Sequence, residues 1–223
     1  MSLPLDHPRL KKRAPSANEI VADGVVHGLA ILFGIIAFPV LFTHVTQRGA
    51  LLDGISLGIY ALTFFLMFGF SCAYNMTPPS PLKWLLRRFD HASIYLMIAG
   101  TYTALLARLE DRTWAWALIA LVWVGALGGG AIKLFFPGRW DKLSIALYML
   151  LGWAAIIAIG PIVNSLPTQT TVLIGIGGAL YCIGVLFYIW HSLKFQSAIW
   201  HGFVAAAASC QWAGIAYMMG TTP

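Results

Sequence analysis

A seven-span, all-helical membrane bundle is the fold class that this sequence predicts, and three observations carry the prediction. The chain is 59% hydrophobic and only 10% charged, with a mean hydropathy of +0.78. A water-soluble surface needs far more charge, so little room is left for a soluble domain. Seven apolar stretches reach or approach the roughly 18 to 20 residues that cross a bilayer as a helix. They are 25–45, 52–74, 91–107, 114–136, 143–163, 171–191 and 198–219. The third is short and is expected to begin before His91. Finally, basic residues alternate between connections. Arg9, Lys11, Lys12, Arg13, Lys83, Arg87, Arg88, Lys133, Arg139, Lys142 and Lys194 fall on one side, and Arg48, Arg108 and Arg112 on the other. Cytoplasmic connections carry the excess of Lys and Arg, so the amino terminus is expected inside and the carboxyl terminus outside. The net charge of +6 is then an orientation signal. It calls for no nucleic-acid partner, and membrane lipids are the expected contacts.

Residues 1–17 form a polar, basic tail with three prolines, read as flexible or loosely held on anionic headgroups, and 18–220 form the helical domain. The first apolar run is too long for a signal-peptide core and has no cleavage-like end, so no targeting segment is expected to be removed. Ser16 or Asn18 is placed to cap the first helix, with Glu19 in its first turn. Asp23 and His27 are four apart and share a face. They are either a charge-assisted pair at the interface or members of an inner site.

The second span ends in F-G-F-S-C-A-Y-N-M-T-P-P-S-P. Ser71 and Asn75 share one face, and the prolines stop the helix. Asn75 is either an ordinary cap or helix contact, or part of the site. The stretch from Lys83 to Arg88 reads as a basic amphipathic turn in the headgroups, anchored by Trp84. Asp90 and His91 are adjacent, so a helix points them about 100° apart and away from a common atom. Asp90 either complements the helix dipole or faces the bundle. Gly100, Thr103, Gly125 and the glycines at 128–130 read as positions of close contact or a bend. In the last span, Ser197 lies one turn below His201, and alanines on the same side let neighbouring helices approach.

Soluble-enzyme signals are absent. G-x-S-x-G occurs at 54–58 around Ser56, but it opens an apolar span and lacks the strand-to-helix setting, so it is a chance match. Cys72, Cys182 and Cys210 form no C-x-x-C pair and are read as buried and inert. What remains polar at the inner ends of the spans is Asp23, His27, Ser71, Asn75, Asp90, His91, Ser197 and His201. The second and seventh spans run in opposite senses, so Ser71 and Asn75 end one helix at the depth where Ser197 and His201 begin the other. An ionisable group at membrane depth marks a functional site by default.

Three segments carry a family resemblance: F-D-H-A-S-I-Y-L-M-I-A-G-T-Y-T at 89–103, L-F-F-P at 134–137 and A-I-W-H-G-F-V at 198–204. Together they resemble the bacterial hemolysin III-like branch of the progestin and adipoQ receptor superfamily. The resemblance implies seven helices in the bacterial cytoplasmic membrane. It also implies a zinc ion near the cytoplasmic face, held by one histidine at the end of the second helix and two at the start of the seventh. Carried onto this chain, those positions are Asn75, Ser197 and His201, with Ser71 as the second-helix serine and Asp90 as the aspartate beside the zinc-bound water. Only His201 keeps the ligand type.

A neutral hydroxyl or amide is a poor substitute for imidazole on zinc. No metal is therefore preferred, and water bridged among Ser71, Asn75, Asp90, Ser197 and His201 is the expected occupant. Zinc remains the alternative, with His91, His27 or Asp23 compensating. The preferred function is a non-catalytic or differently catalytic role in membrane or lipid homeostasis, with a degenerate metal site. The alternative is a zinc-dependent lipid amide hydrolase resembling ceramidases, with Asp90 as general base and Ser71 or His201 orienting water or the oxyanion. A channel or transporter is third, because the inner helices lack a charged relay.

Overall fold

Helix ends in this chain are set by side chains that satisfy the backbone groups left over at each terminus. The computed structural model describes residues 15–48 and 51–221; residues 1–14, with the four basic side chains read there, lie outside them. The first helix, α1 (Ala17–Gln47), starts in a capping box: the Ser16 hydroxyl accepts the Glu19 N–H, and the Glu19 carboxylate accepts the Ser16 N–H at 2.9 Å. Helix α2 (Leu51–Met76) stops before the prolines. Helix α3 (Pro81–Leu106) begins ten residues before His91, where Ser80 accepts the Lys83 N–H and Pro81 occupies the first turn.

The stretch from Lys83 to Arg88 is thus continuous helix and not a separate headgroup turn. Trp84 is correspondingly buried in the bundle, with the Arg87 guanidinium 5.4 Å from its ring centre. Lys83 donates to the carbonyls of Tyr74 and Thr77 at 2.9 and 2.7 Å, closing the end of α2. Arg87 reaches Asp141 at 3.0 Å, and Lys133 donates to the other oxygen of the same carboxylate at 2.9 Å. Charges that look solvated in the sequence are therefore spent on joining helices.

Helix α4 (Arg112–Phe135) is capped by Asp111. Helix α5 (Asp141–Gly152), a 3-10 turn (Ala154–Ala158) and α6 (Ile159–Ser165) follow as one broken passage. Helices α7 (Thr168–Ile189) and α8 (Gln196–Thr221) complete the described chain. The break in the fifth passage is sealed from α3. The Tyr102 hydroxyl donates to the Gly152 carbonyl at 3.0 Å and accepts the Ala155 N–H at 2.8 Å. One phenol thus satisfies both backbone groups that the broken helix releases, as an apolar setting requires.

Helix α3 is the packing centre. Ala99, Ala104 and Leu106 are fully buried, and α2 and α4 lie to either side. The glycine readings hold where helices meet: a Cβ on Gly129 would collide with the Tyr95 ring, and one on Gly100 with Thr63. The two terminal helices run parallel. At one end the Glu19 carboxylate accepts the Phe195 N–H at 2.8 Å, and at the other Arg48 donates to the carbonyls of Met219 and Gly220 at 3.1 and 2.7 Å. A buried pair of Asp53 with Arg108, bonded through Nε at 3.0 and 2.9 Å, joins the start of α2 to the end of α3.

Outward faces carry Ile35, Val40, Leu62, Val124, Ile157 and Leu186, all exposed, as expected for side chains that meet lipid. Among the described residues, five helical stretches are long and apolar enough to cross a membrane: Ala17–Gln47, Leu51–Met76, Arg112–Phe135, Asp141–Ser165 and Thr168–Ile189. The other two long helices, α3 and α8, have 26 residues each, about 39 Å at 1.5 Å per residue. Their sequences are more polar: α3 holds Lys83, Arg87, Arg88, Asp90 and His91, and α8 holds Gln196, Ser197, His201, Ser209 and Gln211. The three cysteines are free and half-buried, less enclosed than expected, and Ser56 lies inside α2 with its hydroxyl on the Asp53 carbonyl.

Removing the Tyr102 hydroxyl strands a carbonyl and an N–H at the helix break. Y102F is expected to cost about 1–3 kcal/mol, read as a lowered thermal unfolding midpoint in detergent micelles. An unchanged midpoint would show that the break is satisfied from elsewhere.

Candidate functional site at one end of the bundle

The first turns of α1, α3 and α8 and the last turn of α2 meet at one end, and their polar residues converge there. Asp23 comes from α1 and is buried despite its charge. Its Oδ1 accepts the His201 Nδ1–H from α8 at 2.6 Å, and its Oδ2 accepts the Ser197 hydroxyl at 3.3 Å. Its backbone carbonyl accepts His27 Nδ1–H at 2.8 Å. Two imidazoles therefore have Nδ1 committed to the same residue. This fixes their tautomers, because a carbonyl or carboxylate oxygen can only accept.

The opposite nitrogens, Nε2 of His27 and of His201, both point at Ser71 Oγ, at 3.0 and 3.2 Å. The rings lie edge to face with centroids 4.3 Å apart. A hydroxyl owns one proton, so it donates to one ring at a time. Asn75, one turn further along α2, donates to the Ser71 carbonyl at 2.9 Å and approaches Oγ at 3.4 Å. Asp90 on α3 is buried beside Ser71 and His201, and its Oδ2 bonds His91 Nδ1 at 3.2 Å.

All eight inner polar residues thus reach this end, with unequal roles. Ser71 bonds Asn75 and His201 directly, and Ser197 joins them through the Asp23 carboxylate. Asp23 and His27 touch this network too and also stay paired: the carboxylate turns to α8 but lies 3.8 Å from His27 Nδ1, whose hydrogen bond goes to the Asp23 backbone carbonyl. His91 stays outside the core of the cluster: its ring faces Tyr74, and its carbonyl accepts the Tyr148 hydroxyl at 2.8 Å. Asp90 and His91, expected to diverge, bend toward each other. A cavity of about 220 Å³ opens onto the network, walled by Asp23, Asn75, Ser197, Lys83 and Glu19. Glu19 was read only as a first-turn residue of α1, and Phe195 had no place in the sequence reading. The Glu19 carboxylate holds the Phe195 N–H where the chain, at φ 57°, turns into α8.

The residues at the zinc positions implied by the family do not fit that ion. Asn75 and Ser197 offer an amide and a hydroxyl, and both are engaged in the hydrogen bonds above. A different buried group, Asp23, His27 and His201, has ligand atoms within 4.8 Å of one another and could hold a metal ion. The chemistry of that set, one carboxylate and two imidazoles, is acceptable to zinc.

The fold and site together define a helical membrane protein with a buried histidine, carboxylate and hydroxyl cluster at one end. The family model described as Haemolysin-III related matches residues 16–212. Hemolysin-3 of Bacillus cereus is 32% identical over 201 residues, 90% of this chain and 92% of that protein. The Hemolysin-3 homolog of Bacillus subtilis (strain 168) is 35% identical over 192 residues, 86% and 90% of the two chains. The human Monocyte to macrophage differentiation factor is 28% identical over 127 residues, 56% of this chain and 52% of its own. The chain belongs to the Haemolysin-III-related family, and through it to the progestin and adipoQ receptor superfamily.

Restoring imidazoles at positions 75 and 197 tests whether the helix ends still converge as the family's metal site requires. The double variant N75H/S197H, purified without an affinity metal, is expected to retain clearly more zinc than the parent by elemental analysis. Equal, negligible zinc in both proteins would show that the geometry has drifted from that of a metal site.

Proposed function

We propose that this chain is a seven-span protein of the bacterial cytoplasmic membrane, amino terminus inside, that hydrolyses a membrane lipid at a carbonyl near the headgroup and so serves lipid homeostasis. The observation that carries the reading is the buried network drawn from α1, α2, α3 and α8 beside an open cavity. Burying two carboxylates and two imidazoles in an apolar bundle is costly, and such groups are kept where they act. Their chemistry is that of acid–base work on a carbonyl: imidazoles oriented by carboxylate and carbonyl, a hydroxyl between them, and a neutral amide donor alongside. On this reading a lipid headgroup enters the cavity beside Lys83, so that its ester or amide bond comes next to the network.

A second reading has its own support. The proximity of Asp23, His27 and His201 favours a metal-assisted lipid amide hydrolase, in which those three residues would hold zinc and zinc would supply Lewis-acid activation of water. Elemental analysis of the native protein separates the two: near-stoichiometric zinc, lost together with activity on chelation, selects the metal.

The hydrolytic reading is tested by incubating the purified protein with total membrane lipid extract in mixed micelles and following released fatty acid by mass spectrometry. Time-dependent release is expected, falling about 100-fold or more in H201A. Lipids unchanged by the native protein would overturn the reading. The topology is tested by reporter fusions: one after Gly220 is expected outside and one before Ser16 inside. Both on one side would remove a span.

A further inference from the structure

We propose that Ser71 is a covalent nucleophile, with His201 as its general base, Asp23 as the carboxylate that positions that base, and Asn75 as the donor to the oxyanion. The proposal rests on the hydrolytic reading above and names its mechanism as metal-independent acyl transfer on a lipid ester or amide.

The geometry is that of a Ser-His-Asp array. Ser71 Oγ lies 3.2 Å from His201 Nε2, and His201 Nδ1 lies 2.6 Å from Asp23 Oδ1. Both distances fall within the reach that such relays require. The array is recognised by roles and geometry, because unrelated folds build it in different chain orders. Here it is assembled from α2, α8 and α1.

Ser71 differs from the other buried serine and threonine hydroxyls of the described helices, which meet backbone carbonyls. Ser56, Thr63, Ser93, Thr101 and Ser144 each donate to a carbonyl three or four residues back, and Thr170 donates across to the Gly214 carbonyl of α8. That is the ordinary way to satisfy a hydroxyl in an apolar bundle. The Ser71 hydroxyl instead faces two imidazole nitrogens on two other helices. A hydroxyl held against a base is one whose proton can leave.

The two departures from the three-histidine pattern both serve this array. Ser197 donates to Asp23 Oδ2 at 3.3 Å and so holds the carboxylate whose other oxygen carries His201. Asn75 places Nδ2 at 3.4 Å from Oγ, beside the point where a carbonyl oxygen would gain charge. A side-chain amide is a competent oxyanion donor in such a place. His27 Nε2, 3.0 Å from Oγ, is a second acceptor for the same hydroxyl proton, so the relay forms when that proton turns to the α8 ring. His201 is the base of the two rings because its imidazolium is offset by a carboxylate, whereas His27 Nδ1 meets a carbonyl.

Each step balances with water as the only co-reactant. Ser71 Oγ attacks the carbonyl carbon while its proton passes to His201 Nε2. The tetrahedral oxyanion takes a hydrogen bond from Asn75 and collapses with cleavage of the ester C–O or amide C–N bond. The leaving alcohol or amine takes the proton from His201. Water, deprotonated by His201, then attacks the acyl-Ser71 ester. The acid departs and the proton returns to Ser71.

The experiment uses the full chain in detergent micelles with an alkyl fluorophosphonate probe and peptide mass spectrometry, alongside the lipid-extract assay. One adduct is expected, on Ser71, forming at the same rate with or without millimolar EDTA. It is absent in S71A, slowed about 100-fold or more in H201A, and slowed by at least about tenfold in D23N and N75A. S71A should keep the native unfolding midpoint, which separates loss of the nucleophile from loss of the fold. S71C adds an independent reading: alkylation at position 71 by iodoacetamide is expected to depend on His201, whereas alkylation of Cys72 is not. Lipid hydrolysis with no adduct on Ser71, or hydrolysis abolished by EDTA and restored by zinc, would overturn the nucleophile and leave the hydrolytic reading standing. Neither hydrolysis nor adduct would overturn both.

Discussion

The bond on which the rest of this structure depends joins Asp23 of the first helix to His201 of the last. A carboxylate taken out of water into an apolar bundle loses several kcal/mol of solvation unless partners surround it. Asp23 finds them only if α8 lies against α1 in parallel register, so that Ser197 and His201 face its two oxygens. The same register is fixed again at both extremes, by Glu19 with Phe195 and by Arg48 with Met219 and Gly220. With α1 also packed on α2, the helix that carries Ser71 is brought under both imidazoles. The cluster is thus a product of helix order as much as of residue type.

The polar groups also explain which helices differ in character. Helices α1, α2, α4 and α7 and the broken fifth passage turn apolar faces outward, and each holds a stretch apolar enough to span. Helices α3 and α8 present less of such a face. α3 is enclosed by its neighbours and α8 opens on site residues, so their hydropathy is diluted by groups whose partners lie inside. Polarity in these two helices reports what they touch and not a lack of length.

Much of this was legible in the sequence, and the failures have specific physical causes. The Ser16 cap, the stop at the prolines after Asn75 and the close contacts at Gly100 and Gly129 are local or small-residue signals, and they hold. The start of α3 was misplaced because Lys83, Arg87 and Arg88 read as solvated charge. Lys83 bonds the end of α2, Arg87 bonds Asp141 and Arg88 the Leu134 carbonyl, the last two more than forty residues away, which no local pattern shows. Ser80 and Pro81 open the helix, a role hidden behind the prolines' part in stopping α2. The spacing of Asp23 and His27 put both on one face, but whether that face met lipid headgroups or another helix depended on where α8 packs. Ser71 was singled out by its position. That its hydroxyl turns away from its own helix to face two rings is a fact of tertiary structure alone.

The charges around the cavity also bear on how a reaction there would end. Hydrolysis of an acyl bond leaves a carboxylic acid, which ionises near neutral pH. Formed beside Ser71, that new anion would share the site with Asp23 and Asp90, a crowding that like charges resist. Lys83 is a cation on the cavity wall, together with Asp23, Asn75 and Ser197. Repulsion from the two carboxylates drives the anion out through that cavity, and the ammonium on its wall offsets the charge in transit. The field that holds the imidazoles in place would therefore also expel the product, giving turnover a direction without any helix having to move.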